Sequence, residues 1–124
     1  MPEDFLKFID RYVEVWNEPD AKVRRTTIES LWVPGGGNYT QSMEAIGYEA
    51  LDDRVTRAYE AYVGSGTYRF RRVEPPVAHH GAVKVQWEMI TVEDHSVASV
   101  GLEFLILADD GRIISDHQFI VTPG

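Results

Sequence analysis

The sequence predicts an α+β fold in which about three N-terminal helices pack on a curved antiparallel sheet, with a pocket between them. Two patterns lead to this prediction. Apolar residues recur at helical spacing in the first half of the chain, and they alternate with a period of two from Thr67 onward. Because helices and strands are segregated along the chain, we expect an antiparallel sheet and not βαβ units. The length of 124 residues is typical of one domain, so residues 1–124 are assigned to a single domain.

Two helices are expected in the first third of the chain. Residues 3–16 have the spacing of an amphipathic helix, and Glu3 and Asp4 suit the positive end of its dipole. Asp20 is a candidate N-cap for a second helix over about residues 21–32, which would turn Val23 toward the core. The apolar face of the first helix contains Phe5, Phe8, Ile9, Tyr12, Val13 and Trp16.

A glycine-rich segment separates the second helix from the third. The run Pro34-Gly35-Gly36-Gly37 predicts a stop and a linker, and a short strand is expected around residues 38–42. The third helix is expected over about residues 47–63, with Arg54 outside its apolar face. That apolar face contains Leu51, Val55, Ala58, Tyr59 and Tyr62.

Residues after Thr67 are expected to form strands. The segment 68–71 alternates clearly, and a second strand covers residues 83–89. The last hairpin joins residues 97–107 to residues 112–122 through a loop over residues 108–111, in which Gly111 supplies a positive φ.

Both faces of this last hairpin are largely apolar. One face of an antiparallel sheet usually meets water and is polar, so an apolar outer face indicates that something covers it. We expect a homodimer through this face, while cover by other segments of the same chain is the alternative. The predicted dimer face contains Leu102, Phe104, Ile106 and Phe119.

The inner face of the hairpin carries two acids. With a loop over residues 108–111, Glu103 lies opposite Asp116 and shares a face with Ile114 and Gln118. Two carboxyl groups close together in a dry site cannot both ionise cheaply, so one pKa rises and the pair becomes general acid/base equipment. A loop one residue shorter would instead place His117 opposite Glu103. Two solvated carboxylates at a wet edge are the other alternative.

The composition argues against several classes of protein. Twelve Lys and Arg against twenty Asp and Glu give a net charge of −8, so the basic face of a nucleic-acid-binding protein is not expected. No apolar run approaches the ~20 residues that cross a bilayer, and the first residues lack the pattern of a signal peptide. We therefore expect a cytoplasmic protein with no nucleic-acid or membrane partner.

Metal and cofactor sites are not expected either. The chain has no cysteine, and the adjacent His79 and His80 would point to opposite faces of a strand. The glycine run before Asn38 lacks the pattern of a phosphate-binding loop.

Several segments of the chain resemble the nuclear transport factor 2-like superfamily. They are Arg11-Tyr12-Val13 with Asn17 and Asp20, the short strand before Gly47, and the closing hairpin from Glu103 to Ile120 through Asp110-Gly111-Arg112-Ile113. Within this superfamily the chain is most similar to SnoaL-like domains and ketosteroid isomerase. The resemblance covers nearly the whole chain and implies a cystatin-like cone of curved sheet that encloses a pocket and dimerises through its outer face.

The resemblance also implies roles for individual residues. Tyr12 matches the oxyanion-donor tyrosine of ketosteroid isomerase, and Glu103 matches its protonated carboxylic acid. Gln41 stands where that enzyme has an aspartate base, and an amide cannot abstract a proton. Asp116 and Gln118 match the inward polar positions on the last strand of SnoaL-like cyclases.

These observations predict a pocket for a small-molecule ligand. The candidate catalytic residues are Tyr12, Glu103 and Asp116, and a core tyrosine is an equal alternative for Tyr12. The expected function is cofactor-independent acid/base chemistry on a small, largely apolar carbonyl compound, of isomerase, cyclase, dehydratase or hydrolase type. A non-catalytic ligand-binding module or a dimeric scaffold is the alternative. The candidate substrate-binding residues are Trp16, Tyr39, Gln41, Tyr59, Trp87 and Gln118, with core packing as the alternative for the aromatic residues.

Overall fold

The computed structural model describes residues 3–121, and these form three helices and seven strands. The predicted α+β class is confirmed. The helices are α1 (Glu3–Glu14), extended by a 3-10 turn at Val15–Asn17, α2 (Ala21–Leu31), and α3 (Tyr48–Ala58), extended by a π-helical turn at Tyr59–Val63. The strands are β1 (Trp32–Tyr39), β2 (Glu44–Ile46), β3 (Tyr68–Arg72), β4 (Val77–His79), β5 (Ala82–Thr91), β6 (Val97–Leu107) and β7 (Ile113–Val121).

The strands form one curved sheet in the order β2-β1-β7-β6-β5-β3, and β4 pairs with β5. The pair of β1 and β7 is parallel and the other pairs among residues 3–121 are antiparallel, so the prediction of an antiparallel sheet is wrong for this pair. Between β1 and β7 the chain passes through α3 and five strands, which provides the long crossover that parallel pairing needs. The parallel register places Asn38 opposite Asp116.

The glycine run lies inside β1, so the prediction of a linker there is wrong. A Cβ atom on Gly36 would lie 2.9 Å from the carbonyl oxygen of Ile113, and one on Gly37 would lie 2.9 Å from Oη of Tyr39. Glycine is therefore required by close approach within the sheet and does not interrupt it. The register of β1 on β7 shifts between Trp32 and Gly37, which is the irregularity that accommodates the run.

The N-terminus of α2 confirms the predicted cap. The Asp20 carboxylate accepts hydrogen bonds from the backbone N–H groups of Lys22 (2.8 Å) and Val23 (3.1 Å). The core position predicted for Val23 is wrong, because its side chain is 45% exposed and Arg24 is buried instead. The Arg24 guanidinium donates to the carbonyl oxygen of Glu18 and covers the ring of Tyr59, which satisfies this buried charge in part.

The register of the last hairpin differs from both predicted registers. Leu107 lies opposite Ile113, so five residues form the loop, and a bulge near Ile106 adds a second extra residue. One extra residue would turn the inward side chains of β7 outward. The second extra residue turns them inward again. Glu103 therefore faces Gln118 directly, and the predicted inward position of Ile114 is wrong because that side chain is 45% exposed.

The core lies between the helices and the inner face of the sheet. It combines residues of α1, α2 and α3 with inward residues of β1, β5, β6 and β7. Its fully buried members include Ile9, Ile28, Leu31, Trp32, Leu51, Val55, Val83, Leu105 and Ile113. In the part of the chain that the structure describes, no helix is long and apolar enough to cross a membrane.

Candidate functional site

Two acids are buried on the inner face of the sheet. Glu103 on β6 is 2% exposed, and Asp116 on β7 is 0% exposed. Glu103 lies opposite Gln118, and Asp116 lies opposite Leu105, so the two acids are diagonal neighbours on one face. The prediction that Glu103 lies directly opposite Asp116 is therefore wrong. The longer loop and the bulge together shift β7 by two residues, so Gln118 takes that position.

Hydrogen bonds hold both carboxyl groups in place. Tyr12 Oη on α1 donates to Asp116 Oδ2 at 2.5 Å, and Asn38 Nδ2 on β1 donates to the same oxygen at 2.9 Å. Trp87 Nε1 on β5 donates to Glu103 Oε2 at 2.8 Å. One helix and four strands therefore fix the positions of the two acids.

One oxygen of each carboxyl group is buried with no hydrogen-bond partner among residues 3–121. These atoms are Glu103 Oε1 and Asp116 Oδ1. Two acceptors without donors are costly in a dry site, whereas one proton shared between the groups satisfies both of them. The pair is therefore described best as one carboxylic acid and one carboxylate.

The surroundings assign the shared proton to Glu103. Burial raises the pKa of Glu103 well above its ordinary value, and the charge of Asp116 raises it further. Burial also raises the pKa of Asp116, but hydrogen bonds with Glu103 and Tyr12 oppose that rise. Burial and the nearby charge of Asp116 raise the pKa of Tyr12 well above its ordinary value, so the phenol remains a hydrogen-bond donor.

A cavity of about 720 Å³ opens beside these acids, between the helices and the sheet. Tyr12 and Glu103 line it, whereas Asp116 does not and lies behind them. Most of the wall is apolar or aromatic, from Val13 and Trp16 near α1 to Phe70 on β3. Within the described chain, Glu103 is the only acid and Arg54 the only arginine or lysine in the lining.

Five of the six candidate substrate-binding residues line the cavity. Of the six candidate substrate-binding residues, Tyr59 lies outside the cavity lining, because its ring packs under the Arg24 guanidinium 4.8 Å away. Tyr62, three residues later in the π-helical turn, lines the cavity and meets Phe70 edge-on. The five candidates that line the cavity are Trp16, Tyr39, Gln41, Trp87 and Gln118.

His117 faces the opposite side of β7 from Asp116. It lies opposite Phe104 in the ladder, and its ring stacks on Tyr39 with centroids 5.0 Å apart. β1 ends at Tyr39, so β7 has a free edge beyond His117, and the cavity lining extends across this edge to Phe119. His117 therefore lines the cavity rim from the face of β7 opposite to that of Asp116.

Two residues of the site were missed by the sequence analysis. Asn38 is 1% exposed and joins Asp116 to Arg54, whose Nε donates to Asn38 Oδ1 at 3.2 Å. Arg54 was expected outside the apolar face of α3, but it is half-buried and covers the Trp16 ring at 5.1 Å. A signal was available for Arg54, because its spacing from Leu51 and Ala58 places it at the border of that face.

No protein-family model matches the chain, and no curated protein matches it in sequence. Solved structures do match. A proposed isomerase of the SnoaL-like family from Agrobacterium tumefaciens superposes with a TM-score of 0.86 and 22% identity, over 98% of this chain and 100% of that one. A SnoaL-like protein from Burkholderia thailandensis gives a TM-score of 0.72 and 14% identity, over 98% and 99% of the two chains.

This chain has the fold of SnoaL-like and nuclear transport factor 2-like proteins. A proposed polyketide cyclase from Sinorhizobium meliloti has the same fold, with a TM-score of 0.70 and 13% identity over 96% of this chain and 95% of that one. Identities this low establish the SnoaL-like fold alone, since one fold hosts many chemistries. The chemistry of this chain depends on its own cavity and its own buried pair of acids.

Proposed function

We propose that the cavity is the active site of a cofactor-independent enzyme that moves a proton on a small, largely apolar carbonyl compound. The observation that carries this proposal is the buried pair of Glu103 and Asp116, each with one oxygen that has no hydrogen-bond donor within residues 3–121, at the wall of a largely apolar cavity. The reaction types within reach are isomerisation, aldol-type cyclisation, dehydration and hydrolysis. The similarity to a proposed isomerase and a proposed polyketide cyclase supports the first two of these reaction types.

Glu103 is the group of the pair that can touch a substrate. As a carboxylic acid it turns its hydrogen from Asp116 to the substrate carbonyl oxygen, where negative charge develops as an enolate forms. When its proton has moved to Asp116, Glu103 is a carboxylate and accepts a proton from the carbon beside that carbonyl group. Asp116 acts through Glu103 and Tyr12, so it is a positioning residue. It holds the proton of the pair while Glu103 is a carboxylate.

The rest of the cavity suits a flat, apolar substrate. Aromatic walls at Trp16, Phe70 and Trp87 offer faces for ring systems. Exclusion of water by these walls strengthens each hydrogen bond to the substrate oxygen. Proton transfer between the substrate and the pair of Glu103 and Asp116 then needs no cofactor.

Deuterium exchange at the carbon beside a ketone tests this function. In heavy water at neutral pH, proton NMR of the benzo-fused cyclic ketone tetralone should show exchange accelerated by on the order of 100-fold over buffer. Glu103→Gln should return the rate to background, since an amide cannot carry the proton. Asp116→Asn should also lower the rate while tetralone affinity is retained.

Glu93→Gln is the matched control, because Glu93 is an exposed acid in the turn after β5, outside the cavity lining. Its exchange rate should equal that of the unaltered protein. A rate no higher than buffer for the unaltered protein, or an unchanged rate in Glu103→Gln, would contradict the proposed activity.

A non-catalytic binding module is the second candidate. Gln41 lines the cavity, and the sequence resemblance to ketosteroid isomerase matches it to the base of that enzyme; Glu103 is the only acid in the lining within residues 3–121. With this function, tetralone or a related ring compound binds and shifts the indole signals of Trp16 and Trp87, but its deuterium exchange stays at the buffer rate.

A further inference from the structure

The cavity contains one cation that the proposed chemistry does not use. Arg54 on α3 lines the cavity, and only its Nε atom donates a hydrogen bond, to Asn38 Oδ1 at 3.2 Å. Within residues 3–121 the Arg54 guanidinium has no acid within the 4.0 Å of an ion pair. Both terminal nitrogens of this arginine are therefore without a hydrogen-bond acceptor in the described chain.

Neighbouring residues hold this guanidinium in a fixed orientation. The group lies over the Trp16 ring at 5.1 Å, which fixes its plane from one side. Asn38 fixes it from another side and is itself held by its bond to Asp116. An arginine oriented in this way presents two parallel N–H groups, which match the two oxygens of a carboxylate.

We infer that the cavity takes an organic acid whose carboxylate binds the terminal nitrogens of Arg54. The inference rests on the proposed function and narrows its substrate class from carbonyl compounds in general to carbonyl compounds that bear a carboxylate. The Asn38 amide bridges Arg54 and Asp116, so the bound carboxylate would lie on the Arg54 side of this bridge. The reacting carbon would then lie between the anchored carboxylate and Glu103.

The charges of the site favour an anion of charge one. Asp116 carries one negative charge behind the cavity wall and Arg54 carries one positive charge in it, while Glu103 is neutral. A carboxylate adds one negative charge next to the one cation that lines the cavity within residues 3–121. A phosphate monoester would add nearly two charges, with no second cation in the described lining and with Asp116 nearby. The structure therefore favours a carboxylate over a phosphate.

A pair of isosteric probes tests the anchor in the unaltered protein. Naphthoate and naphthamide have nearly the same shape but carry a carboxylate and a neutral amide, respectively, and their affinities are measured by calorimetry at pH 7. We expect naphthoate to bind at least about tenfold more tightly than naphthamide, which corresponds to roughly 1.4 kcal/mol. Equal affinity, or no measurable binding of naphthoate, would overturn the inference.

Two variants locate the anchor. Arg54→Gln should lose the preference for naphthoate and keep its affinity for naphthamide. Arg57→Gln is the matched control, because Arg57 lies one turn later on α3, is 77% exposed and pairs with Asp53. The control should keep the full preference, and a preference that survives in Arg54→Gln would overturn the assignment.

A second measurement does not depend on the folding of a variant. The Arg54 Nε–H signal of the labelled protein, assigned through its loss in Arg54→Lys, should shift with naphthoate and stay in place with naphthamide. Failure of this binding preference is distinct from failure of the proposed function. If naphthoate binds more tightly but tetralone exchange stays at the buffer rate, the carboxylate site is supported and the proposed activity fails. If tetralone exchange is accelerated but the two naphthalene probes bind equally, the proposed activity is supported and the carboxylate site fails.

Discussion

Glu103 shows how a single side chain couples the site to the stability of the fold. An acid that is 2% exposed is tolerated in its neutral form, and its partner Asp116 then keeps the charge with help from Tyr12 and Asn38. The folded state consequently binds the Glu103 proton more tightly than the unfolded state does, because the pKa of Glu103 is raised on folding. Protonation of Glu103 therefore stabilises the folded state relative to the unfolded state.

The free energy of unfolding should fall as pH rises above about 4.3, the value for Glu in an unfolded chain, and continue to fall up to the raised pKa of Glu103. One proton gives a slope of at most roughly 1.4 kcal/mol per pH unit. Glu103→Gln has no proton to lose, so its urea midpoint should depend less on pH between 5 and 8. Glu93→Gln should keep the original dependence, and an unchanged dependence in Glu103→Gln would refute the assignment of the proton.

The residues of the site were predictable to the extent that they alternate along a strand or recur along a helix. Glu103 and Asp116 were named from such a pattern, whereas Tyr12 was named from the resemblance to ketosteroid isomerase. Asn38 was not, because the glycine run before it hides the period of β1. Arg54 was not, because a long side chain at the border of a helical face can turn either way, and only the position of Trp16 decides it.

At the scale of the strands, the contact between β5 and β6 supports the acid of the site. Trp87 lies opposite Gly101, and a Cβ atom on Gly101 would come within 2.1 Å of the Trp87 ring. The indole therefore lies flat against bare backbone, which lets its Nε1 reach Glu103. The glycine of β6 thus positions the side chain of Glu103 through Trp87.

Gly101→Ala should displace the Trp87 ring and break its hydrogen bond to Glu103. We expect a loss of about 1–3 kcal/mol in urea unfolding, together with a shift in tryptophan fluorescence. Trp87→Phe removes the part of the indole that would clash. The double variant should therefore be no less stable than Trp87→Phe alone, and additive losses from the two substitutions would contradict this packing.

Helix ends and the positions of β3, β5, β6 and β7 were predictable, whereas the position of β1 and the strand register were not. The Asp20 cap follows from the chemistry of one side chain, and it was confirmed. The pairing of β6 with β7 depends on a loop one residue longer than expected and on a bulge near Ile106, and neither has a sequence signal in this hairpin. The acids nevertheless face inward, because the two errors together shift the strand by an even number of residues.

At the scale of the whole molecule, the outer face of the sheet exposes apolar side chains that no other element of residues 3–121 covers. Phe104 is 39% exposed, Ile106 41% and Phe119 55%, and the two phenyl rings meet edge-on at 5.5 Å. Leu102 lies opposite Phe119 on the same face and is half-buried. No helix of residues 3–121 covers these side chains, since the helices pack on the inner face. Exposed apolar patches of this kind mark interaction sites.

We propose that a second copy of the chain covers this face and forms a homodimer. Light scattering coupled to size exclusion should give twice the mass of one chain, and Phe104→Lys should give the mass of one chain because a buried, unpaired charge opposes association. Val92→Lys is the control, since Val92 is 46% exposed in the turn after β5 and outside the face. A single-chain mass for the unaltered protein, or a dimer that persists in Phe104→Lys, would rule out this interface. Because Phe119 belongs both to this face and to the cavity lining, a dimer built here would place the second chain beside the cavity.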